Sequence, residues 1–344
     1  MNKCPVFLII FIFLASFIYC ESPGIIDYKN PEHDDSEKTD ADKKDNIDIS
    51  GIKNPEELWK QFLLSSDVSK QAEILIILGS LAKGNRQIID NINNYLMGMN
   101  LLFRSGSTVH YTLVSANISA LMELGDNSSY PALFSVLYAG YPEVITSEAF
   151  GALEVIPGSL HQFLLNVIEN NPPDEKFAAF RAGVRSERMT IPQRGQIAER
   201  ALERSLANSD DDLYLSALRY SAVLTLTSLR WTRANSLAIR HYYRVQSDYQ
   251  REIVPKERLI EAITCLGAVG NPDAALVLGL QLGLINVRME STGFYDPEIT
   301  LAIVQALGNI GYHAVFEHLI QVRNLLYLED IQIAAREAVD RLKW

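Results

Sequence analysis

Cysteine is scarce in this sequence and badly placed for pairing. Of three cysteines, Cys4 and Cys20 fall in the first 20 residues and Cys265 stands alone in an apolar stretch. The rest of the chain therefore has no internal disulfide available to it. Zinc spacings are missing as well: there is no C-x-x-C and no H-E-x-x-H, which removes the strong metal signatures. The chain also lacks G-x-S-x-G, G-x-x-x-x-G-K-[ST], and G-x-G-x-x-G in a strand-to-helix setting. Serine-hydrolase, P-loop and dinucleotide chemistry have no motif to rest on.

Positive charge is in deficit, with 31 Lys and Arg against 42 Asp and Glu and a net charge of −11. That balance opposes general nucleic-acid binding, which needs a concentrated cationic surface. Alternation of Val, Ile and Thr with polar residues is absent over any useful length, so strands are not expected. What is abundant is apolar content, 48% of 344 residues. It is enough to bury a core, and it excludes a disordered, collagen-like or small disulfide-stapled chain.

The first 55 residues are unlike the rest. Lys3 and the mostly apolar run Val6 to Tyr19 have the form of an export signal over residues 1–20, short for a membrane span of ~20 residues. Cleavage is favoured over retention as an anchor. Cys20 closes the run and is followed by Glu21, Ser22 and Pro23. It resembles the acylated cysteine of a bacterial lipoprotein, although Tyr19 stands where a small residue is usual, and an ordinary cleavage site remains open beside it. Residues 21–55 are rich in Asp, Glu, Lys, Asn and Ser, too polar to offset the entropy of ordering, and read as an acidic linker. Export without disulfides suits a bacterial periplasm or envelope better than a secreted eukaryotic domain. Two glycosylation sequons begin at Asn117 and Asn127, a short and common motif.

From residue 56 to 344 the pattern is helical. Ile299, Ile303, Ala306, Leu307 and Ile310 share one helical face, with Asp296 as cap, Pro297 in the first turn and Gly311 as a left-handed stop. A second helix turns Val315, Leu319 and Val322 inward. A third is marked by Ile331, Ala334, Ala335, Ala338, Val339 and Leu342. Pro55, Pro142, Pro192, Pro255, Pro272 and Pro297 stand where helices would begin. The phrase Ala306-Leu307-Gly308-Asn309-Ile310-Gly311 recurs as Cys265-Leu266-Gly267-Ala268-Val269-Gly270 and as Ala120-Leu121-Met122-Glu123-Leu124-Gly125. Leu266 and Leu307 are 41 residues apart, and Leu78 and Leu121 are 43 apart. Helix pairs at such a period mark an α-solenoid.

At these residues the chain resembles the HEAT-repeat, armadillo-like family. The likeness is good over Lys256 to Trp344, fair over Ser69 to Asn170, and rests on periodicity between. It implies an all-α solenoid of antiparallel helix pairs, roughly seven units at ~40 residues each, and a protein-binding role. A TPR array is disfavoured, because its ~34-residue period and its Trp phrase are missing.

Chemistry is thinly represented. The six histidines, His33, His110, His161, His241, His313 and His318, form no ligand pattern. His313 and His318, five apart, are off-register for one helix face and read as surface or half-buried residues. Glu56-Glu57 and Asp210-Asp211-Asp212 lie at helix starts, where the dipole favours negative charge. The glycines read as helix punctuation. No metal, cofactor or catalytic residue is expected.

One stretch departs from the background. Arg181 to Arg258 holds 13 arginines and Lys256 against nine acids, a net of +5. Arg181, Arg185 and Arg188 can share one helix face, as can Arg233, Arg240 and Arg244 beside His241, Tyr242 and Tyr243. In a solenoid the two groups could line one groove suited to carboxylate or phosphate groups. A solvated face paired with Glu199, Glu203 and neighbours is the favoured alternative. These six arginines and Tyr243 are the candidate partner-binding residues, and Cys20 the candidate lipidation site. The function expected is a non-catalytic scaffold that recruits another envelope protein, touching the membrane only through its N-terminus. An envelope enzyme, or a binder of an anionic polymer or lipid with an Arg-rich groove, is the alternative.

Overall fold

A computed structural model describes residues 53–207 and 212–343. The export signal, Cys20 and nearly all of the acidic linker lie outside the described residues, as do Asp210, Asp211 and Trp344. Sixteen α-helices make up the described chain, and no strand occurs among the described residues beyond one isolated bridge between Tyr312 and Lys343. The protein is all-α.

The first eight helices are α1 (Pro55–Leu64), α2 (Val68–Leu81), α3 (Arg86–Arg104), α4 (Tyr111–Leu124), α5 (Tyr130–Tyr138), α6 (Glu143–Val155), α7 (Leu160–Asn170) and α8 (Pro173–Arg185). The remainder are α9 (Ile191–Ala207), α10 (Leu213–Leu229), α11 (Asn235–Gln250), α12 (Lys256–Val269), α13 (Pro272–Thr292), α14 (Pro297–Ile310), α15 (Phe316–Asn324) and α16 (Glu329–Asp340).

Local chemistry starts and stops them. Asn54, Asp67, Asn85, Asp212, Asn271 and Asp296 each accept a backbone N–H of the following first turn, satisfying donors the helix cannot. Pro55, Pro272 and Pro297 occupy the first position of their helices, where a missing N–H costs nothing. Gly311 ends α14 at φ 68° with its N–H on the Leu307 carbonyl, the left-handed stop expected of it. The helical part begins at Pro55, one residue before the linker was expected to end.

Contacts between helices fall into two rows. Even-numbered helices touch the next even one, as α2 does α4 and α4 does α6, and again from α8 through α10, α12, α14 and α16. Odd-numbered helices do likewise, α1 with α3 and α3 with α5, and again from α7 through α9, α11, α13 and α15. Each odd helix also packs on the even helix that follows it. Between α6 and α7 the order changes, and the contact across that joint is α5 with α8.

The rows are joined by different devices. In the even row a helix glycine faces an alanine of the next helix: Gly79 meets Ala120, Gly267 meets Ala306 and Gly308 meets Ala338. A Cβ on these glycines would come within 3.0 Å of the alanine Cα, so the backbones approach closely and apolar neighbours fill the space. These three glycines are therefore contact residues and not the punctuation expected of them. In the odd row, side-chain amides make the joints. Asn100 donates to Ser135 Oγ at 2.7 Å, Gln246 to Gln281 at 2.9 Å, and Asn286 to the His318 carbonyl at 3.0 Å. Asn117, the first sequon residue, is wholly buried and donates to the Leu113 carbonyl; in the folded protein it is closed to glycosylation.

Candidate functional site

The two arginine groups sit in different rows. Arg181 and Arg185 belong to α8, which packs against α10, whereas Arg240 and Arg244 belong to α11, which packs against α9 and α13. Helices of different rows are not equivalent positions, so the shared groove expected from periodicity lacks its geometric basis.

Each arginine has its own surroundings. Arg181 lies 5.9 Å from the Phe177 ring and Arg185 4.8 Å from the Phe150 ring of α6, both as exposed cations over aromatic faces. Arg188 follows α8 and donates to the carbonyls of Leu153, Ile156 and Gly158 at 3.1, 2.7 and 3.1 Å. It closes the C-terminus of α6, where carbonyls lack helix partners and a cation is favoured. Glu154 completes this joint by accepting from Ser186 Oγ and from the backbone N–H of Glu187 and Arg188.

Arg233 lies over the Trp231 ring at 5.7 Å and 3.7 Å from Glu199, which also accepts from Trp231 Nε1. Arg240 is exposed and Arg244 stands 4.0 Å from Asp248. Tyr243 keeps 52% of its surface and its ring tilts against Tyr242. Arg200 and Arg204 both pair with Glu169. Much of the basic stretch is thus paired locally, and exposed pairs of this kind contribute little to stability.

The residues with acid-base or ligand capacity are dispersed. Among the described residues no group of three or more His, Cys, Asp or Glu side chains stands close enough to hold a metal ion. His313 is exposed and His318 half-buried against Gly279 and Gly283, as expected. Cys265 is buried, and burial pushes its thiol up to about 11, which makes it inert as a nucleophile.

Sequence reasoning missed an exposed apolar stripe. Along α13, Leu276, Leu280, Leu284 and Val287 are all exposed, Leu280 and Leu284 keeping 67% of their surface each. At 100° per residue these four positions span an arc of only ~80°. The opposite face of α13 buries Ala274, Ala275, Leu278, Leu282 and Asn286. Phe294, just beyond the helix, is 67% exposed. A helix apolar on all sides is the mark of a fully enclosed helix, yet among the described residues α13 is covered on one side alone.

Comparison with known protein families and with curated proteins finds no match.

Proposed function

We propose that this protein is a non-catalytic scaffold, an exported HEAT-like α-solenoid that recruits another protein of a bacterial cell envelope. The two-row order of helix contacts supports the solenoid reading, since each pair of helices buries its apolar face against its neighbours. On this reading the sixteen helices make eight units, one more than chain length suggests, because the spacing between corresponding helices is shorter around α4 to α8 than around α12.

The observation that carries the functional reading is the outward apolar stripe of α13, Leu276, Leu280, Leu284 and Val287. Leucine at four-residue spacing offers the flat apolar strip against which a partner's helix or sheet face packs. The exposed Arg181, Arg185, Arg240 and Tyr243 are candidates for polar contacts at the rim. The N-terminal export signal, with Cys20 as lipidation site, would hold the solenoid at a membrane, and the acidic linker would raise the effective concentration of a local partner.

The test is crosslinking in the native cells, followed by mass spectrometry of the purified protein. The expected result is a recurrent partner captured by the native chain and lost in the double variant Leu280→Glu, Leu284→Glu. A partner retained by that variant, or none captured by either chain, overturns the reading. The same spectra report the anchor: a mass beginning at Cys20 plus acyl chains supports it, and one beginning at Glu21 without them removes it.

A further inference from the structure

Arg219 on α10 is an unusual cation. Its residue is only 6% exposed, its Nε has no hydrogen-bond partner, and no ion pair to it occurs among the described residues. Its guanidinium lies 5.1 Å from the Tyr220 ring. Arg258 of α12 covers the same ring at 4.2 Å. The edge of Tyr220 meets His241 of α11, ring centres 5.8 Å apart at 78°. Arg244 of α11 acts on His241 electrostatically together with Arg219 and Arg258.

Two guanidinium groups, from α10 and α12, therefore lie over the ring of one buried Tyr-His pair. Asp248 stands 4.0 Å from Arg244 and Glu261 2.8 Å from Arg258, while Arg219 has no carboxylate partner among the described residues. Four buried polar atoms here have no hydrogen-bond partner: Arg219 Nε, Tyr220 Oη, and both ring nitrogens of His241. Buried polar groups in native proteins are almost always satisfied, by protein, water or an ion, and an unpaired buried cation is costly.

The geometry points to an oxyanion site between α10, α11 and α12, in which one phosphate or carboxylate group is held by Arg219 and Arg258 with Tyr220 and His241 as further hydrogen-bond partners. Guanidinium forks match the planar and tetrahedral oxygens of such groups. The rim is open to solvent, since the Arg244 and Arg258 side chains keep 24% and 26% of their surface. The Arg258–Glu261 pair at that rim is partly solvated, so an entering anion displaces the carboxylate at small cost. The site is separate from the α13 stripe and does not rest on the scaffold reading.

The test is thermal unfolding of the full chain in inorganic phosphate, in acetate and in chloride, all at one ionic strength. The expected result is a saturable rise in Tm with phosphate or acetate relative to chloride, weakened by at least about tenfold in affinity in Arg258→Gln. Tyr220→Phe, which removes the hydroxyl alone, is expected to weaken the same response. Arg258 is half-exposed, so its variant keeps the fold, as circular dichroism would verify. A stronger response to acetate assigns a carboxylate and a stronger one to phosphate assigns a phosphate group. The proposal is overturned if both anions leave Tm where chloride does, or if Arg258→Gln responds as the native protein does.

Discussion

A Cβ placed on Gly267 of α12 would stand 2.7 Å from the Cα of Ala306 on α14. The same relationship joins Gly79 to Ala120 at 2.9 Å and Gly308 to Ala338 at 3.0 Å. The repeated phrase of the sequence is thus the imprint of one helix–helix contact made again and again.

Gly267→Ala should destabilise the protein by up to about 2 kcal/mol, because a clash costing about 1–3 kcal/mol opposes the ~1 kcal/mol gained in helix propensity. Gly98→Ala on α3, where the added methyl meets nothing within 4 Å, should stabilise it by roughly 0.5–1 kcal/mol. Urea unfolding of the two variants checks the opposite signs; equal effects would remove the close-contact account.

Asn286 ties three elements together. It donates to the His318 carbonyl and to Gln321 Oε1, and accepts from Tyr327 Oη at 2.9 Å. Asn286→Ala should cost about 2–3 kcal/mol by leaving buried partners unpaired. Hydrogen exchange should rise in α15 and α16 while α2 to α4 are unaffected. A uniform change along the chain would mean the amide does not act as a local joint.

Arg188→Ala should lower stability by about 1–2 kcal/mol, since the Leu153 and Gly158 carbonyls lose the guanidinium and the Ile156 carbonyl keeps only Tyr130 Oη as side-chain donor. Partner capture in the crosslinking assay should be unchanged once the variant is folded. Loss of capture at full helix content would return Arg188 to the binding residues.

His241 is held neutral, its pKa pushed down to about 3 by burial first and then by Arg219, Arg244 and Arg258. The groups facing it are Arg219 and Tyr220 from α10, Arg244 from its own helix and Arg258 from α12. In the unfolded chain this imidazole titrates near ~6.5. Between those values the unfolded state carries a proton the native state does not, so stability falls as pH drops below ~6.5, by up to ~1.4 kcal/mol per pH unit. His241→Phe should flatten the acid side of the stability profile measured by urea unfolding from pH 7.5 to 4.5. A native profile no steeper than that of the variant would contradict the burial of a neutral imidazole.

Much of the architecture was written in local chemistry. Asp296, Pro297 and Gly311 bound α14 as their capping roles require, and Ile303 and Leu307 are wholly buried on the face their spacing defines. Caps, prolines and apolar periodicity act within one or two turns of their own helix, so the sequence alone determines them.

What only the tertiary structure decided depends on partners distant in sequence. Gly267 carries no local sign that Ala306, 39 residues on, will press against it. Arg181 and Arg240 look alike as stripes on helices, but the order of packing puts α8 and α11 in different rows. Leu280 and Leu278 are the same residue two positions apart, one 67% exposed and the other fully buried. Nothing in a helix apolar on every side says which side a neighbour will cover. The physical reason is common to all three: burial is a property of the surface that arrives from elsewhere in the chain, and a helix records only its own.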